Sequence, residues 1–135
     1  MKKTKKIWLP VSPKKQKFIP TEFEKKQVEA KFSPLIDKWK KTHIGEPHPE
    51  FNYRTDFYTK WYRMYFYLCG KYESKSPNRM VDSFEDKFVR LEYKGKDNFN
   101  ISYMRHTGQW WPVFENQTLE QCYELIETEP FLQPV

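Results

Sequence analysis

The sequence has 135 residues, of which 19% are aromatic and 31% charged, with a net charge of +6 and a mean hydropathy of −0.95. This length indicates one domain with its own core, and the aromatic content excludes a wholly disordered chain. No run of about 18 apolar residues occurs, and the first lysines are not followed by the apolar stretch of about 7–15 residues that a signal peptide has, so we expect neither a membrane span nor a signal peptide. Cys69 and Cys122 lie in apolar surroundings, which indicates buried thiols in a reducing compartment, and we expect a cytoplasmic protein.

The excess positive charge lies at the start of the chain. Seven of the 24 Lys and Arg residues fall within residues 1–20, which contain no acid, so the rest of the chain holds 17 basic against 18 acidic residues. Prolines and repulsion between like charges disfavour regular structure in this segment. We therefore predict a lysine-rich arm, residues 1–20, followed by a single α+β domain, residues 21–135. The arm either docks on the domain through its few apolar residues or contacts nucleic acid or an acidic partner.

The segment Thr21–Thr42 has the pattern of an amphipathic helix. Thr21 and Glu24 form a capping-box sequence at its start. Apolar residues then recur at helical spacing, namely Val28, Phe32, Leu35, Ile36 and Trp39. Pro34 interrupts this pattern, so we expect either a kink or a second short helix that begins at Pro34.

The segment Tyr53–Tyr72 is the most ambiguous part of the chain. Its threonines and aromatic residues favour a strand, whereas its lack of strict alternation also permits a helix of this length. We predict an extended strand or a bent hairpin. The consecutive aromatic residues Tyr65–Tyr67 suit a strand that is buried on both sides, with the helix on one side and the arm or a partner on the other.

Three further strands are predicted between Ser83 and Phe114, separated by two turns that each contain a glycine. Their ranges are Ser83–Lys94, Phe99–Met104 and Gln109–Phe114. Leu91 and Ile101 lie on the apolar face of their strands because side chains alternate between the two sides of a sheet. Pro112 cannot donate a hydrogen bond to a neighbouring strand, so the last strand is expected at an edge of the sheet.

A second capping-box sequence, Thr118 with Gln121, predicts a C-terminal helix that Pro130 ends. The residues after Pro130 are apolar and are expected to pack on the domain. The predicted fold class is α+β: a small antiparallel meander of three to four strands, packed against a kinked N-terminal helix and a C-terminal helix.

Four short motifs lie in the second half of the chain. They are RLEY at 90–93, FN at 99–100, YMRHTGQWW at 103–111 and EPF at 129–131. With these motifs the sequence is similar to a family of small, uncharacterised bacterial and phage proteins, a domain of unknown function, over roughly Tyr58–Pro134. The resemblance implies a helix, a strand meander and a last helix. It brings no established activity, and it does not include the lysine-rich arm.

The second turn of the meander carries the best candidate binding residues. Arg105 offers a planar fork for phosphate or carboxylate, and His106 offers an imidazole that can serve as an acid or a base. Trp110 and Trp111 follow at once and offer stacking faces. In the alternative interpretation, Arg105 and His106 stabilise the hairpin while the tryptophans fill the core.

The aromatic segment Phe51–Tyr67 is a second candidate binding surface. Its rings are typical of a platform on which bases stack, with Lys60 and Arg63 as phosphate contacts. The same composition is typical of a protein interface. The near-neutral charge of residues 21–135 makes a protein partner the preferred interpretation.

An alternative hypothesis is a metal-dependent nuclease or other hydrolase. Glu92 and Lys94 share one face of a predicted strand, and Asp82 or Asp86 upstream would supply a second carboxylate. A solvated sheet face explains the same residues, and so do exposed loop side chains for the His and Glu residues of 43–50. No Ser-His-Asp motif, phosphate-binding glycine loop or zinc-type cysteine pattern occurs, so we expect no cofactor and no metal ion. The preferred hypothesis is a non-enzymatic domain that binds a protein or nucleic-acid partner.

If the arm contacts the phosphates of a nucleic-acid partner, deletion of residues 1–20 will flatten the dependence of binding on salt concentration, because fewer counterions are released. Binding of an oligonucleotide at a series of salt concentrations measures the slope. An unchanged slope would exclude the arm as the phosphate contact.

Overall fold

The computed structural model describes residues 18–78 and 82–134, so residues 1–17 of the predicted arm lie outside the described part of the chain. Within it, a long helix precedes five strands and a second helix follows them. The elements are α1 (Glu22–His43), β1 (Tyr53–Tyr62), β2 (Tyr65–Glu73), β3 (Ser83–Tyr93), β4 (Phe99–Met104), β5 (Trp110–Gln117) and α2 (Leu119–Thr128). The strands form one antiparallel sheet in chain order. The α+β class is confirmed.

Helix α1 begins at the predicted capping box. The Thr21 hydroxyl accepts a hydrogen bond from the Glu24 amide at 3.1 Å, and the Glu24 carboxylate accepts one from the Thr21 amide at 2.9 Å. The helix continues through Pro34 to His43, so the expected second short helix does not form. Because its apolar stripe continues on both sides of Pro34, packing against the sheet outweighs the single backbone hydrogen bond that proline removes. No helix of the described residues is both long and apolar enough to cross a membrane.

The segment Tyr53–Tyr72 forms a hairpin of two strands, so the predicted total of three to four strands is wrong and the sheet has five. Arg63 and Met64 make the turn between β1 and β2, and Arg63 takes the left-handed conformation at φ 55°. This conformation is uncommon for residues with a side chain. The turn contains no Gly, Pro, Asn or Asp, and the sequence therefore carries no signal that divides the segment in two.

The three strands predicted between Ser83 and Phe114 are confirmed. Leu91 of β3 lies opposite Ile101 of β4, and Ile101 lies opposite Phe114 of β5. The side chains of Leu91 and Ile101 are fully buried. Strand β5 is at the edge of the sheet, as the position of Pro112 predicts.

Both helices pack on the same face of the sheet. Trp39 of α1 lies against Phe57 and Phe88, with ring centroids 5.8 Å and 5.4 Å away. Phe32, about two turns earlier, contacts Phe66 of β2 at 5.7 Å and Tyr123 of α2 at 5.6 Å. The core is therefore a single layer of side chains between the sheet and the two helices.

Helix α2 is held at both ends. The Thr118–Gln121 capping box forms as predicted, and the carboxylate of Asp97 in the β3–β4 turn accepts a hydrogen bond from the Leu119 amide at 2.8 Å. After α2, a short 3₁₀ turn, Pro130–Leu132, buries Leu132 completely. The expected packing of the apolar C-terminal residues is confirmed for Leu132.

Ile101 and Ile19 form a matched pair for testing this core, because Ile101 is fully buried and Ile19 is 68% exposed. We expect Ile101→Ala to lower the free energy of unfolding by about 2–5 kcal/mol, since it removes buried methyl groups and leaves a cavity. We expect Ile19→Ala to change it by less than about 0.5 kcal/mol. Urea denaturation followed by circular dichroism measures both, and equal losses would contradict the described core.

Candidate functional site

The sheet face opposite α1 and α2 is the candidate site, and we call it the open face. Residues that pair across strands share a face, so its side chains follow from the register: Tyr58 lies opposite Cys69, Lys60 opposite Tyr67, and Tyr67 opposite Arg90. Along one strand the face takes every second residue, until a bulge between Val89 and Lys87 shifts the alternation. The open-face side chains that contact one another are Tyr58, Lys60, Tyr65, Tyr67, Glu85, Lys87, Arg90 and Trp110.

The centre of the open face is an alternating set of rings and cations. The Arg90 guanidinium lies 4.6 Å from the Tyr65 ring centroid and 4.9 Å from that of Trp110. Tyr67 contacts Trp110 with centroids 5.7 Å apart, and the Lys87 ammonium lies 5.1 Å from the Tyr67 ring. Cations over ring faces attract the π electrons, and this attraction holds the long side chains against the sheet. The result is a preformed surface of aromatic groups and positive charge.

A polar network lies beside these rings. The Glu85 carboxylate accepts hydrogen bonds from the Tyr58 hydroxyl and from Lys60 Nζ, the latter at 2.9 Å and 3.0 Å. The Lys87 ammonium is 3.8 Å from the same carboxylate. The hydrogen bond to Glu85 raises the pKa of Lys60, whereas burial together with the same carboxylate raises the pKa of Tyr58.

The Glu85 carboxylate stays ionised at neutral pH. Burial acts to raise its pKa, but the hydrogen bonds from Tyr58 and Lys60 and the charges of Lys60 and Lys87 outweigh burial and hold the pKa below the usual range for glutamate. The network therefore carries two positive charges against one negative charge.

The structure divides the predicted binding residues into two groups. Lys60 and Trp110 lie on the open face. Arg63 lies at the end of the same hairpin, with its guanidinium 5.2 Å from the exposed ring of Tyr62. Lys60 and Trp110 thus lie on the open face, and Arg63 lies in the turn at the end of the β1–β2 hairpin.

The remaining predicted residues lie elsewhere. Trp111 pairs with Tyr103, which packs against Phe131 on the helix-bearing side, so neighbouring Trp110 and Trp111 point to opposite faces. The Arg105 guanidinium is 4.6 Å from the Trp111 ring, and His106 is exposed in the β4–β5 turn. Arg105 and Trp111 therefore form a separate pair at the edge of the sheet.

Sequence reasoning did not single out Tyr65, Tyr67, Glu85, Lys87 or Arg90 as a cluster. Arg90 alternates with Leu91 and so belongs to the polar side of its strand, but the partners opposite it depend on the register of β2, which the ambiguous pattern of Tyr53–Tyr72 leaves open. Strict alternation in β3 puts Lys87 and Arg90 on opposite faces, and only the bulge between Val89 and Lys87 brings both to the open face, so the sequence carries no local signal for this pair.

Asp86 and Glu92 of the nuclease hypothesis lie far apart. Asp86 and Glu92 are six residues apart on strand β3, roughly 20 Å at the rise of an extended strand. Asp86 pairs with Gly70, and Arg54 acts on its charge from the helix-bearing side, whereas Glu92 pairs with Tyr65 of the open face. These two carboxylates cannot bridge one ion.

Within residues 18–78 and 82–134, no group of three His, Cys, Asp or Glu side chains is arranged to hold a metal. His48 instead accepts hydrogen bonds from the Glu50 and Phe51 amides.

A groove of about 790 Å³ opens on the opposite side of the domain, between the start of α1, the β3–β4 turn and the start of α2. Its walls are mainly apolar, with Phe23, Val28, Phe99 and Leu119 among them. The Glu24 carboxylate at its edge already accepts bonds from the helix cap and from the Tyr93 hydroxyl. The groove is therefore mainly an apolar surface, and the carboxylate at its edge is already hydrogen-bonded within the chain.

These features define a class: an α+β domain with an antiparallel meander, helices on one face and an aromatic, basic surface on the other. The family model described as domain of unknown function DUF3024 matches residues 20–133, and the chain belongs to this family. The resemblance to a family of unknown function is thereby confirmed, over a longer range than the sequence indicated. The particular motifs and a bacterial or phage origin stay predictions. No curated protein and no solved structure matches the chain.

Cys69 and Cys122 are both free and fully buried, as predicted, and burial raises the pKa of each thiol to about 12. We expect neither to react with iodoacetamide at pH 8 in the folded protein, because the thiolate fraction is about 10⁻⁴ and the sulfur is covered. Both will react in denaturant. Mass spectrometry of the alkylated protein counts the adducts, and rapid native labelling of Cys69 would show that the strands at the open face separate.

Proposed function

We propose that this protein is a non-enzymatic binding domain whose open face holds a single strand of nucleic acid. The observation that supports the proposal is the ring and cation cluster in which Arg90 lies between Tyr65 and Trp110. Bases of single strands stack on aromatic rings and on arginine planes, while lysines contact the phosphates. Sheets that bind RNA commonly do so through rings on the face turned away from their helices.

The distribution of charge also supports a polyanionic partner. Lys60, Lys87 and Arg90 lie on the open face together with Glu85 and Glu92, which leaves one net positive charge among these five side chains. On the helix-bearing side, α2 has three glutamates and no basic residue, whereas α1 has six lysines and four acidic residues. The lysines and the arginine beside the rings favour an anion at this part of the open face.

The shape of the open face favours a single strand over a duplex. Duplex DNA is read by elements that enter its major groove, such as a helix or a two-stranded ribbon. A broad sheet with rings in its centre needs unpaired bases instead. The alternative is a protein partner whose anionic and aromatic side chains contact the same cluster.

Trp110 and Trp111 give a matched test because they are adjacent in the chain and lie on opposite faces. We expect Trp110→Ala to weaken binding of a short single-stranded oligonucleotide by roughly 5- to 150-fold, since about 1–3 kcal/mol is lost with each stacked base. We expect Trp111→Ala to leave the affinity within about twofold. Fluorescence anisotropy of a labelled oligonucleotide at low salt measures both, with urea denaturation as the check on folding.

Three results would count against the proposal. Absence of oligonucleotide binding by the unaltered protein removes nucleic acid as the partner. Equal affinities of all three proteins remove the open face as the site. Loss of binding in Trp111→Ala but not in Trp110→Ala would instead place the contact at the Arg105–Trp111 pair, which the sequence pattern also nominates.

A further inference from the structure

Glu85 is placed where a ligand anion would be expected. Its carboxylate oxygens receive the Tyr58 hydroxyl and the Lys60 ammonium, and the Lys87 ammonium lies 3.8 Å away. Both ammonium groups are therefore held near a carboxylate of the same chain, while the side chains of Lys60 and Lys87 stay 41% and 39% exposed. The Glu85 side chain is 29% exposed, so a second molecule can reach the group.

The three donor groups around Glu85, one hydroxyl and two ammonium groups, could also bind the two anionic oxygens of a backbone phosphate. Two ammonium groups and one hydroxyl provide charge and hydrogen bonds without any demand for a planar acceptor. A carboxylate has two acceptor oxygens that share one negative charge, and a phosphodiester has the same in its two free oxygens. The Glu85 carboxylate thus resembles a backbone phosphate in charge and in the number of its anionic oxygens.

The network and the rings form one continuous surface. Lys60 pairs with Tyr67 across β1 and β2, and the Lys87 ammonium lies 5.1 Å from the ring of the same Tyr67. Tyr67 in turn contacts Trp110. A strand whose bases stack at Trp110 and Tyr65 has its backbone within reach of Lys60 and Lys87.

We infer that Tyr58, Lys60 and Lys87 form the phosphate-binding part of the open face, and that Glu85 occupies this part in the free protein until a backbone phosphate displaces it. The inference rests on the proposed function, since it assigns one portion of the same surface. Glu85 then acts as an internal competitor that lowers affinity for every single strand, whatever its base sequence.

Glu85 and Glu92 provide the decisive comparison. Both are glutamates of β3 on the open face, but within the described residues only Glu85 has an ion pair with a lysine. We expect Glu85→Gln to raise affinity for a short single-stranded oligonucleotide by about 3- to 10-fold, because it releases two lysines. The salt dependence will become steeper by about 0.7 for each lysine that gains a phosphate contact. Glu92→Gln removes the same charge but releases no lysine from an ion pair, so we expect it to raise affinity less than Glu85→Gln does.

A double variant separates release of the lysines from simple removal of charge. In the Lys60→Gln background, Glu85→Gln will give a much smaller gain than in the unaltered protein, because one of the two released lysines is absent. Protection of Cys69 from iodoacetamide in every variant checks that the sheet stays intact.

The failures of the two proposals are distinguishable. If Glu85→Gln gains no more than Glu92→Gln, or gains equally in the Lys60→Gln background, the inference is overturned, while a loss in Trp110→Ala still supports nucleic-acid binding at the open face. If neither the unaltered protein nor any variant binds the oligonucleotide, both proposals fail.

Discussion

The ring of Phe32 joins three elements, because it packs against Phe66 of the sheet on one side and Tyr123 of the last helix on the other. It is fully buried, and the two helices meet the sheet around it. With both helices committed to one face, the chain has no further helix among its described residues to cover the other. The arrangement of the open face is thus a consequence of where the first and last helices are held.

Because side chains alternate along β3, this strand contributes apolar residues to the core and charged residues to the open face. Val89, Leu91 and Tyr93 point into the core, while Arg90 and Glu92 point to the open face. One strand therefore contributes both to stability and to the proposed contact, with adjacent residues serving different purposes. Because backbone pairing holds each side chain in register, the ring and cation cluster forms without a ligand, which lowers the entropic cost of binding.

The fold was predictable to the extent that local rules act alone. The capping boxes at Thr21 and Thr118 and the alternation around Leu91 and Ile101 each specify an element, and tertiary packing agrees with them. The β1–β2 hairpin was not fully predictable because its turn at Arg63 has none of the residues that usually permit a left-handed conformation. Neighbouring rings, rather than turn chemistry, stabilise that hairpin.

The candidate site was predictable only in part, for a related reason. Trp110 and Trp111 look like one motif in the sequence, yet the pleat of β5 sends them to opposite faces. Arg90 acquires its role only through Tyr65 from β2 and Trp110 from β5, which are far apart in the chain. Contacts of this kind depend on the register of three strands at once, and no local pattern contains that information.

The order of the strands has a kinetic consequence. Every strand pairs with its neighbour in the chain, so the sheet assembles through short loops whose closure costs little entropy. The contact between α1 and α2, by contrast, spans 89 residues at Lys31 and Glu120. We therefore expect the hairpins to form early and the docking of the two ends of the chain to complete folding. Until the two helices dock, a partly folded molecule would expose the apolar side of its sheet.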